Sequence, residues 1–566
     1  MTRKALLPLL GFAVAFATAS FAAEINYKNG AWTWEDGSWE GGVKPGPADT
    51  AVIPELPIFK SRILFDNRLQ SIGLTADEEI DLLRFENLYG CVVQGGFKLT
   101  LAGIKADSVY PGPDDVISVA SNKVAMTSGV VVKGTSAAFE VGENQRLEVS
   151  TGVQPVEESL ILAKTGSGTL VLSSSGEVKA GEIHIEEGVV ERTGSSYPAF
   201  KTPRLVVGGA GKTAVLEFGP STHASKVPAS ADFDVLSGGT VKINAPGSVY
   251  QEYLVIDHGT VDAPGYVFIM SNSKDTERDI NFVFNGGTLI GEIQWPWAAP
   301  FTIVPADRPS VIVGKMNILG NKFDVPDGSA EVDFVIDGKI GGGNRQYGKM
   351  GDGTMLFIDR DPSNLYGIGR DFTVEAGRFY LQSETSVGLG TNNIVVSAGA
   401  TFGGTGSQVG GIDPDNAIRG LRGNITLNGA DGNPAVFEPG TIDYEAGAFV
   451  PGTFTLGSDS QTNNLTFATS CTLKIGATAE GVSALVVNGM FTLSGNDTLS
   501  IVGPEDVHKI PAGDYAIVTT TEAMNRPFAT VLYNGSPVAG SGLKVRQEAN
   551  RIVLRVPRTG MTVIVR

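Results

Sequence analysis

Short segments rich in β-branched residues recur along this chain at a nearly constant interval, and a glycine precedes each of them. The interval from Gly168 to Gly188 equals the interval from Gly239 to Gly259. A later series, Gly353, Gly377 and Gly399, has slightly longer intervals. A repeat of ~20–25 residues built from strands predicts a β-solenoid, in which each rung stacks its strands on those of the next rung.

Between the glycines, the segments have the composition of strands and turns. Val, Ile, Leu, Thr and Phe dominate them, and Gly, Asn, Asp or Pro flank them, as in Lys242–Pro246 and Asn281–Asn285. Glycine supplies 73 of the 566 residues, about twice the ~7% of average proteins. This excess suits a coil with sharp corners, because glycine reaches positive φ without strain. Thr75–Phe85 is the most helix-like segment and is predicted as one short helix candidate, and very low helix content is predicted overall.

The N-terminus has the pattern of a secretory signal peptide. Arg3 and Lys4 precede the apolar stretch Ala5–Ala19, and small residues follow at Ser20 and Ala22. The apolar stretch is shorter than the ~20 residues of a membrane span. We therefore predict a signal peptide over residues 1–22, export of the chain, and no membrane span. An extracellular or cell-surface location is expected, and a periplasmic one stays open.

The charge balance excludes two classes of partner. The chain has 43 basic and 61 acidic residues, a formal net charge of −18, and removal of residues 1–22 takes away two basic residues. Nucleic acids and anionic membranes are poor partners for such an acidic surface. We therefore expect neither to bind.

Two segments resemble the autotransporter-associated β-strand repeat family. The first is Leu162–Ser173 with Ile183–Val190, and the second is Gly348–Phe357 with Asn364–Tyr366 and Phe372–Phe379. The second continues into Gly399–Gly406, which is similar to the close of such arrays. The Trp-rich segment Trp32–Ile53 is similar to the leading segment of many secreted proteins with these repeats, and Ala484–Gly489 and Ala512–Val518 resemble the end of passenger domains.

The resemblance implies a right-handed parallel β-helix exported by a Gram-negative bacterium, and it implies no chemistry. We predict an N-terminal β-rich cap with first rungs over residues 23–120, a solenoid array over 121–480 and a β-rich passenger-like end over 481–566. A translocator barrel needs at least eight strands of ~10 residues, and the passenger-like end reaches Val556. No such barrel is expected after it, and Arg558–Arg566 is predicted to be a closing strand.

The two cysteines, Cys91 and Cys471, lie near opposite ends of the chain. A disulfide needs Cα atoms within ~7 Å, which an elongated solenoid would not allow at this separation. Two thiols also provide neither a disulfide framework nor a cysteine-based zinc site. We predict two isolated, buried thiols.

Gly208–Thr213 imitates a phosphate-binding loop. Such a loop needs Gly-x-x-x-x-Gly-Lys-Ser/Thr leading into a helix. Here Val206 occupies the first glycine position, and the segment is followed by the strand-like Ala214–Phe218. A β-turn is predicted instead of a nucleotide site.

A few ionisable groups invite acid–base or metal chemistry. Asp257-His258-Gly259 is the best histidine-containing patch, because a flanking carboxylate can orient an imidazole. Asp359 with Asp361, or Asp413 with Asp415, lacks a recognised Ca²⁺-loop spacing and is expected to satisfy turn backbone. The chain has four histidines, His184, His223, His258 and His508. We predict no catalytic, cofactor-binding or metal-binding residue and no cofactor.

Exposed aromatic side chains could stack on sugars. Trp32, Trp34 and Trp39 are instead predicted to form a hydrophobic cap over the first rung. Trp295 and Trp297 are as consistent with an exposed, sugar-stacking loop as with a structural role.

These features together predict a secreted or surface-associated β-helix protein with a structural or adhesive role. Its expected partners are polysaccharides or cell-surface and matrix proteins bound along the coil, and its oligomeric state stays open. The alternative is a β-helix carbohydrate-active enzyme, either a polysaccharide lyase or a glycoside hydrolase, which rests on fold analogy alone. A third interpretation is a passenger exported through a separate translocator.

Overall fold

The structure is a computed structural model. It describes residues 23–28, 33–54, 70–86, 91–107, 123–127, 129–173, 177–193, 200–219, 231–244, 249–250, 253–269, 281–294, 301–318, 322–342, 347–359, 371–383, 393–406, 423–457 and 462–558. The chain divides near residue 280 into two compact units. Unit 1 comprises Met1–Ser271 with Ile280–Phe282, and unit 2 comprises Asn272–Asp279 with Val283–Arg566.

The secondary structure is almost entirely β. In the first half the strands are β1 Glu24–Asn26, β2 Thr50–Ile53, β3 Gln70–Gly73, β4 Glu78–Glu79, β5 Leu82–Phe85, β6 Cys91–Gln94, β7 Lys98–Leu101, β8 Gly103–Ala106, β9 Lys123–Met126, β10 Gly129–Val132, β11 Ser136–Val141, β12 Arg146–Val149, β13 Val153–Pro155, β14 Ile161–Thr165, β15 Thr169–Leu172, β16 Val178–Lys179, β17 Glu182–Ile185, β18 Gly188–Arg192, β19 Phe200–Lys201, β20 Arg204–Val207, β21 Ala214–Phe218, β22 Asp232–Val235, β23 Gly239–Ile243, β24 Val249–Tyr250, β25 Tyr253–Asp257 and β26 Thr260–Ile269.

In the second half they are β27 Asn281–Asn285, β28 Thr288–Gln294, β29 Phe301–Ile303, β30 Ser310–Ile318, β31 Lys322–Asp324, β32 Phe334–Gly342, β33 Tyr347–Met350, β34 Thr354–Asp359, β35 Phe372–Val374, β36 Arg378–Ser383, β37 Ile394–Val396, β38 Thr401–Gly406, β39 Ile425–Leu427, β40 Ala435–Pro439, β41 Thr441–Asp443, β42 Ala448–Val450, β43 Thr453–Leu456, β44 Leu465–Phe467, β45 Cys471–Thr478, β46 Gly481–Val482, β47 Ala484–Val487, β48 Phe491–Thr492, β49 Thr498–Val502, β50 Gly513–Thr520, β51 Thr530–Tyr533, β52 Ser536–Pro537, β53 Lys544–Gln547 and β54 Arg551–Val556. In the described ranges, helical structure is limited to the 3₁₀ turns Asp36–Ser38, Glu40–Gly42, Val507–Lys509 and Val538–Gly540.

At three places the spacing of the marked glycines equals the register between rungs. Thr169 pairs with Val189, and Thr240 pairs with Thr260. In both pairs, each partner is the residue that directly follows one of the marked glycines. Thr354 and Arg378, which follow two of the later glycines, are paired in the same way. These parallel pairings confirm the predicted all-β solenoid. Its handedness remains a prediction from the family resemblance.

In unit 1, three parallel ladders run through the rungs, so that strands adjacent in sequence belong to different faces of the coil. The first ladder is β1-β2-β5-β8-β11-β14-β17-β20-β22-β25, and the second is β4-β7-β10-β13-β16-β19. The third joins β3, β6, β9, β12, β15, β18, β21, β23 and β26. Burial alternates along these strands, for example in β12 and β17, because one set of side chains faces the interior.

In unit 2, one parallel ladder joins β28, β30, β32, β34, β36, β38, β40, β45, β49 and β51. A second joins β31, β33, β35, β37, β39, β44 and β48. Aromatic rings pack on one another inside this coil, Phe379 and Phe402 in a stacked pair and Phe402 and Phe437 edge to face. Phe379, Phe402 and Phe437 are in register on successive strands, and their ring centroids are 5.9 and 5.7 Å apart. Like residues thus stack rung on rung, as a solenoid core requires.

Buried lysines hold two corners of the coil together. The Lys164 ammonium donates to the carbonyls of Thr165, Gly166 and Glu187, at 2.9, 2.6 and 2.9 Å. In the second family-like segment, Lys349 donates in the same way to the carbonyls of Gly351 and Ala376. In each case the last carbonyl belongs to the next rung. Burial lowers the pKa of both ammonium groups to about 8. We call these sites the lysine corners.

Asparagine side chains connect another corner of unit 2. The backbone N–H of Asn424 donates to the Asn393 side-chain oxygen at 3.0 Å. The backbone N–H of Asn464 donates in turn to the Asn424 side-chain oxygen at 2.8 Å. Asp371 and Met490 extend the series at its two ends. Each side chain therefore satisfies a backbone donor that the turn leaves unpaired.

Substituting Asn424 with alanine should leave the Asn464 N–H without its protein acceptor. We expect a loss of about 1 kcal/mol in the free energy of unfolding, the typical net value of one hydrogen bond. Urea unfolding followed by circular dichroism measures this loss. Asn496→Ala is the matched control, because Asn496 is exposed like Asn424 and lies in the same unit but outside the asparagine series. Equal midpoints for the two variants would contradict the role of the asparagine series.

Both ends of the described chain are closed by other structure. At the N-terminal end, Tyr27, Trp34 and Trp39 are buried and form edge-to-face pairs, with centroids 5.0 and 4.8 Å apart. This confirms the predicted cap for Trp34 and Trp39, whereas Trp32 lies outside the described residues. At the C-terminal end, β54 pairs antiparallel with both β50 and β53. Covered edges of this kind protect a parallel sheet from further strand addition.

One local prediction is wrong. Thr75–Phe85 contains the strands β4 and β5 and no helix. Leu83 and Phe85 are buried while Leu82 and Arg84 are only partly so. This alternation places two apolar residues in the core at strand spacing, so the period of two outweighs the local helix propensity.

The two termini lie largely beyond the described ranges. Residues 1–22 and 559–566 are outside them, so the signal peptide and the closing strand stay predictions, as do the three domain boundaries. Within the described part of the chain, no helix is long and apolar enough to cross a membrane.

Candidate functional site

A candidate site in unit 2 lies on the outer surface of a ladder, beneath a short hairpin. Because Phe379, Phe402 and Phe437 face inward, their neighbours Tyr380, Gly403 and Glu438 face outward. Tyr380 pairs with Gly403, and Gly403 pairs with Glu438. The outward column continues in the other direction through apolar side chains, Leu356, Val335 and Val311.

The hairpin of β41 and β42 turns this outward column into a second buried cluster. It leaves β40 through Pro439 and Gly440 and packs Ile442 on the cluster that contains Leu356 and Tyr380. Tyr380 is 1% exposed and Glu438 is 4% exposed, although both lie on the outer side of the coil. The hairpin therefore supplies the cover that a solenoid face does not have by itself.

Glycine at position 403 lets the buried tyrosine reach the buried carboxylate. Tyr380 and Glu438 are two strand steps apart, about 9–10 Å between their backbones. The Tyr380 hydroxyl nevertheless donates to Glu438 Oε2 at 2.6 Å. A Cβ at Gly403 would lie 3.1 Å from the tyrosine ring and 2.0 Å from the Glu438 carbonyl oxygen. Only a residue without a side chain leaves this path open.

A chain of alternating charge crosses the site. Arg378 pairs with Glu331 at 2.7 Å, and Lys474 donates to Glu438 Oε1 at 2.8 Å. Both oxygens of the Glu438 carboxylate are thus occupied, one by Lys474 and one by the Tyr380 hydroxyl. Burial, and then the Glu438 charge, raise the pKa of Tyr380 well above its ordinary value. The phenol stays protonated and serves as a fixed donor.

An open cleft of about 440 Å³ adjoins these groups. We call it the hairpin cleft, and its lining comprises Glu331, Arg378, Tyr380, Glu438, Ile442, Phe449, Lys474, Gly476, Ala477, Thr478, Ala479, Val502, Gly503, Pro504 and Lys509. Phe449 packs against two glycines of the coil, since a Cβ at Gly440 or Gly476 would collide with its ring. The cleft combines apolar surface, fixed polar groups and several cations, which is the usual make-up of a ligand site.

A second cluster of ionisable groups lies on the outer face of unit 1. His184 Nε2 lies 2.8 Å from Glu182 Oε2, and Arg204 pairs with Asp234 at 2.8 Å and with Glu182 at 3.6 Å. Burial raises the pKa of Asp234, and the hydrogen bond from Arg204 opposes that shift. Tyr253 is in register with Asp232 on the adjoining strand. This cluster spans β17, β20, β22 and β25, and Arg204 pairs with two of its carboxylates.

The Asp257-His258 patch forms a local contact at a rung corner. His258 Nδ1 lies 2.6 Å from Asp257 Oδ1, and His258 has a left-handed backbone with φ +58°. A Cβ at Gly259 would lie 2.5 Å from the Val235 carbonyl oxygen, so the corner packs tightly on the preceding rung. The Asp257 carboxylate therefore contacts the His258 imidazole, as expected for neighbouring residues. Their exposed fractions are both 27%.

The phosphate-loop imitation is a bent loop between two strands. Gly208, Gly209 and Gly211 all have positive φ, and the segment joins β20 to the strand β21 without a helix. Lys212 pairs with Glu187 at 2.5 Å. Its ammonium is thus engaged by a carboxylate of the neighbouring rung. The segment leads into a strand, as predicted, through a loop that bends over residues 210–212.

Other candidate residues fall in different places. Cys471 is a free, buried thiol, and burial raises its pKa to about 11. His184 faces outward between the buried Ile183 and Ile185, as its strand position predicts. His508 lies on an exposed 3₁₀ turn. The described residues contain no group of three or more His, Cys, Asp or Glu that could hold a metal ion.

Several candidate residues named in the sequence analysis have side chains that the structure does not describe. They are Cys91, the pairs Asp359 with Asp361 and Asp413 with Asp415, His223, Trp295 and Trp297.

The hairpin cleft was not predicted from the sequence. The sequence did contain one signal. In β34 and β36, Leu356 and Tyr380 occupy positions that should face solvent. The apolar residues of these strands are therefore consecutive, whereas a strand with one solvent-facing side alternates apolar and polar residues. Continuous apolar strands indicate cover on both faces. The segment that supplies the cover lies two or more rungs later in the chain, and the sequence pattern does not pair them.

Comparison with known proteins adds no assignment. No protein-family model matches this chain. No curated protein sequence matches it either.

Proposed function

We propose that this protein is an exported, passenger-like β-solenoid that acts as a non-catalytic binding scaffold at or beyond the cell surface. The signal-peptide pattern and the resemblance to autotransporter-associated repeats support the proposed location. Polysaccharides and surface or matrix proteins are the proposed partners, held along the outer faces of the coil.

The observation that carries the proposal is the pairing of charges between rungs on those outer faces. Arg146 pairs with Glu191 through two hydrogen bonds of 3.0 and 2.7 Å, and Lys315 pairs with Glu292 at 2.5 Å. Arg84 contacts three acidic residues, Glu24, Glu86 and Asp107. Acid–base catalysis needs two groups whose environments drive their pKa values apart. On these outer faces the charged side chains instead pair with one another between rungs. This arrangement favours a rigid surface for binding.

Retention on immobilised polysaccharides tests the proposal. The purified protein is passed over a panel of neutral and acidic polymers, with and without Ca²⁺, and the chain length of each polymer is followed in solution. We expect retention by at least one polymer and unchanged chain length, because the surface binds without cleaving. Shortening of any polymer would overturn the non-catalytic role, and no retention by any polymer would overturn glycan binding.

A carbohydrate-active enzyme is the second candidate, and the unit 1 cluster is the observation that favours it. Asp234 is a largely buried carboxylate with a raised pKa on an outer sheet face, beside Arg204 and near His184. If a polymer is shortened, Asp234→Asn should abolish the shortening while Asp262→Asn, on another ladder, leaves it intact.

A further inference from the structure

We infer that the hairpin cleft binds an acidic sugar residue, of the uronic-acid type, within an anionic polysaccharide. The inference rests on the proposed function, since it names the glycan class and the place where it binds. Four features of the cleft lead to it: an unpaired cation, an apolar wall, a fixed polar floor and a suitable size.

The charge of the cleft runs against that of the whole chain. The formal net charge of the protein is −18, yet the cleft contains three cations, Arg378, Lys474 and Lys509, and two carboxylates. Each carboxylate is already paired, Glu331 with Arg378 and Glu438 with Lys474. Among the described residues, the Lys509 ammonium has no ion pair. An anionic ligand would therefore meet an uncompensated positive charge.

The apolar wall suits the face of a pyranose ring. Val502 is 40% exposed, an unusual degree for a large hydrophobic side chain on this surface, and Phe449 lies partly exposed in the same lining. Sugar rings present C–H groups on one face and hydroxyl groups at the edge. Apolar and aromatic side chains pack against the C–H face. Half-exposed charged groups such as Glu331 accept hydrogen bonds from the hydroxyl groups.

The floor of the cleft is rigid before any ligand arrives. Tyr380, Glu438 and Lys474 are fixed by the hydrogen bonds that join them, and the first two are almost fully buried. A fixed floor reduces the entropy lost on binding. The cleft volume of about 440 Å³ lies within the range of small-ligand sites and accommodates one or two sugar residues.

An acidic sugar fits these features better than an acidic peptide does. A peptide carboxylate would engage Lys509, but it offers neither a ring of C–H groups for Phe449 and Val502 nor a set of hydroxyl donors for Glu331. A uronic acid has all three in one residue. Acidic peptides are therefore a comparison arm of the test.

Titration of the purified full-length protein with defined oligomers tests the inference. Isothermal calorimetry compares a tetramer of galacturonate, a neutral tetramer of galactose and a tetramer of glutamate. We expect the acidic sugar to bind at least tenfold more tightly than either of the others, and its affinity to fall as salt is raised. Equal affinity for the sugar and the peptide would overturn the assignment to an acidic sugar.

A charge reversal locates the site. Lys509→Glu should weaken binding of the acidic tetramer at least tenfold, because repulsion replaces attraction at the rim. Lys242→Glu, an exposed lysine in unit 1, should change it less than twofold. Thermal unfolding confirms that both variants are folded. Equal affinities of the two variants would overturn the assignment to the cleft.

The same variants separate this inference from the proposed function. If wild type and Lys509→Glu are retained equally on acidic polymers, the scaffold function stands and the cleft assignment fails. If wild type is retained by no polymer, the proposed glycan-binding function fails first.

Discussion

Replacing Lys164 with methionine is expected to lower the free energy of unfolding by about 3 kcal/mol, because buried carbonyls lose their donor. Lys164 is 3% exposed and its ammonium donates to three carbonyls in two successive rungs. Each carbonyl left buried without a donor costs about 1–3 kcal/mol, and methionine returns part of that by filling the space. Denaturant unfolding measures the loss. Lys242→Met, at an exposed position of the same unit, should change stability by less than about 0.5 kcal/mol.

The difference between wild type and Lys164→Met should also depend on pH. Desolvation lowers the pKa of Lys164 to about 8 in the folded protein, against an ordinary value of 10.5. The folded protein therefore releases this proton first, and the free energy of unfolding rises with pH between about 8 and 10.5. The variant lacks this titration, so the gap should widen over that interval. A gap that is constant, or that narrows, would contradict a desolvated lysine.

Substituting Gly338 with alanine is expected to cost at least about 3 kcal/mol, or to prevent folding of unit 2, because backbone strain and a steric clash act together. Gly291, Gly314 and Gly338 are in register on β28, β30 and β32. All three have positive φ, between 132° and 152°. A Cβ at Gly338 would lie 2.0 Å from the Gly314 carbonyl oxygen, closer than any real contact. The clash is with fixed backbone, which cannot move aside as a flexible side chain could.

Denaturant unfolding and limited proteolysis measure the effect of Gly338→Ala. Gly540→Ala is the control in the same unit, because a Cβ there meets nothing within 4 Å and its φ is not in the left-handed region. We expect the control to unfold at the wild-type midpoint. A normal midpoint for Gly338→Ala would show that the glycine column is not a steric requirement.

The repeat could be predicted because the pattern and the register have the same physical cause. Stacked parallel strands require each rung to return the chain to the same corner, so the interval from Gly168 to Gly188 becomes the pairing of Thr169 with Val189. One offset shows the limit of counting glycines. Arg378 directly follows Gly377, but its partner Thr401 is the second residue after Gly399. A corner can absorb an extra residue, and the spacing of glycines then no longer equals the register of the strands.

The caps were predictable in kind. A cluster of tryptophans close to the N-terminus of an exported solenoid predicts a cover, and Trp34 and Trp39 are fully buried. The sequence did not show that Tyr27 completes this cluster or that β50, β53 and β54 close the other end in antiparallel order. Such pairings depend on which strands meet in space.

The hairpin cleft could not be derived from the sequence, because its parts come from distant rungs. Tyr380, Glu438 and Lys474 lie on different strands and meet only when the rungs stack, and a glycine at position 403 opens the path between the first two. The hairpin that buries them carries no pattern linking it to the strands that it covers. The net charge of the chain did not indicate the cleft either, because a net acidic sequence does not predict a cationic site.

The sequence by itself determined the all-β class and the length of the rung, because both follow from local rules: strand-forming residues, turn-forming residues and a nearly fixed interval between them. Only the tertiary structure decided what the rungs bring together. The lysine corners, the asparagine series and the hairpin cleft each join residues that lie at least one full rung apart in the chain. Their energies depend on burial and on distances between rungs, which no short stretch of sequence contains.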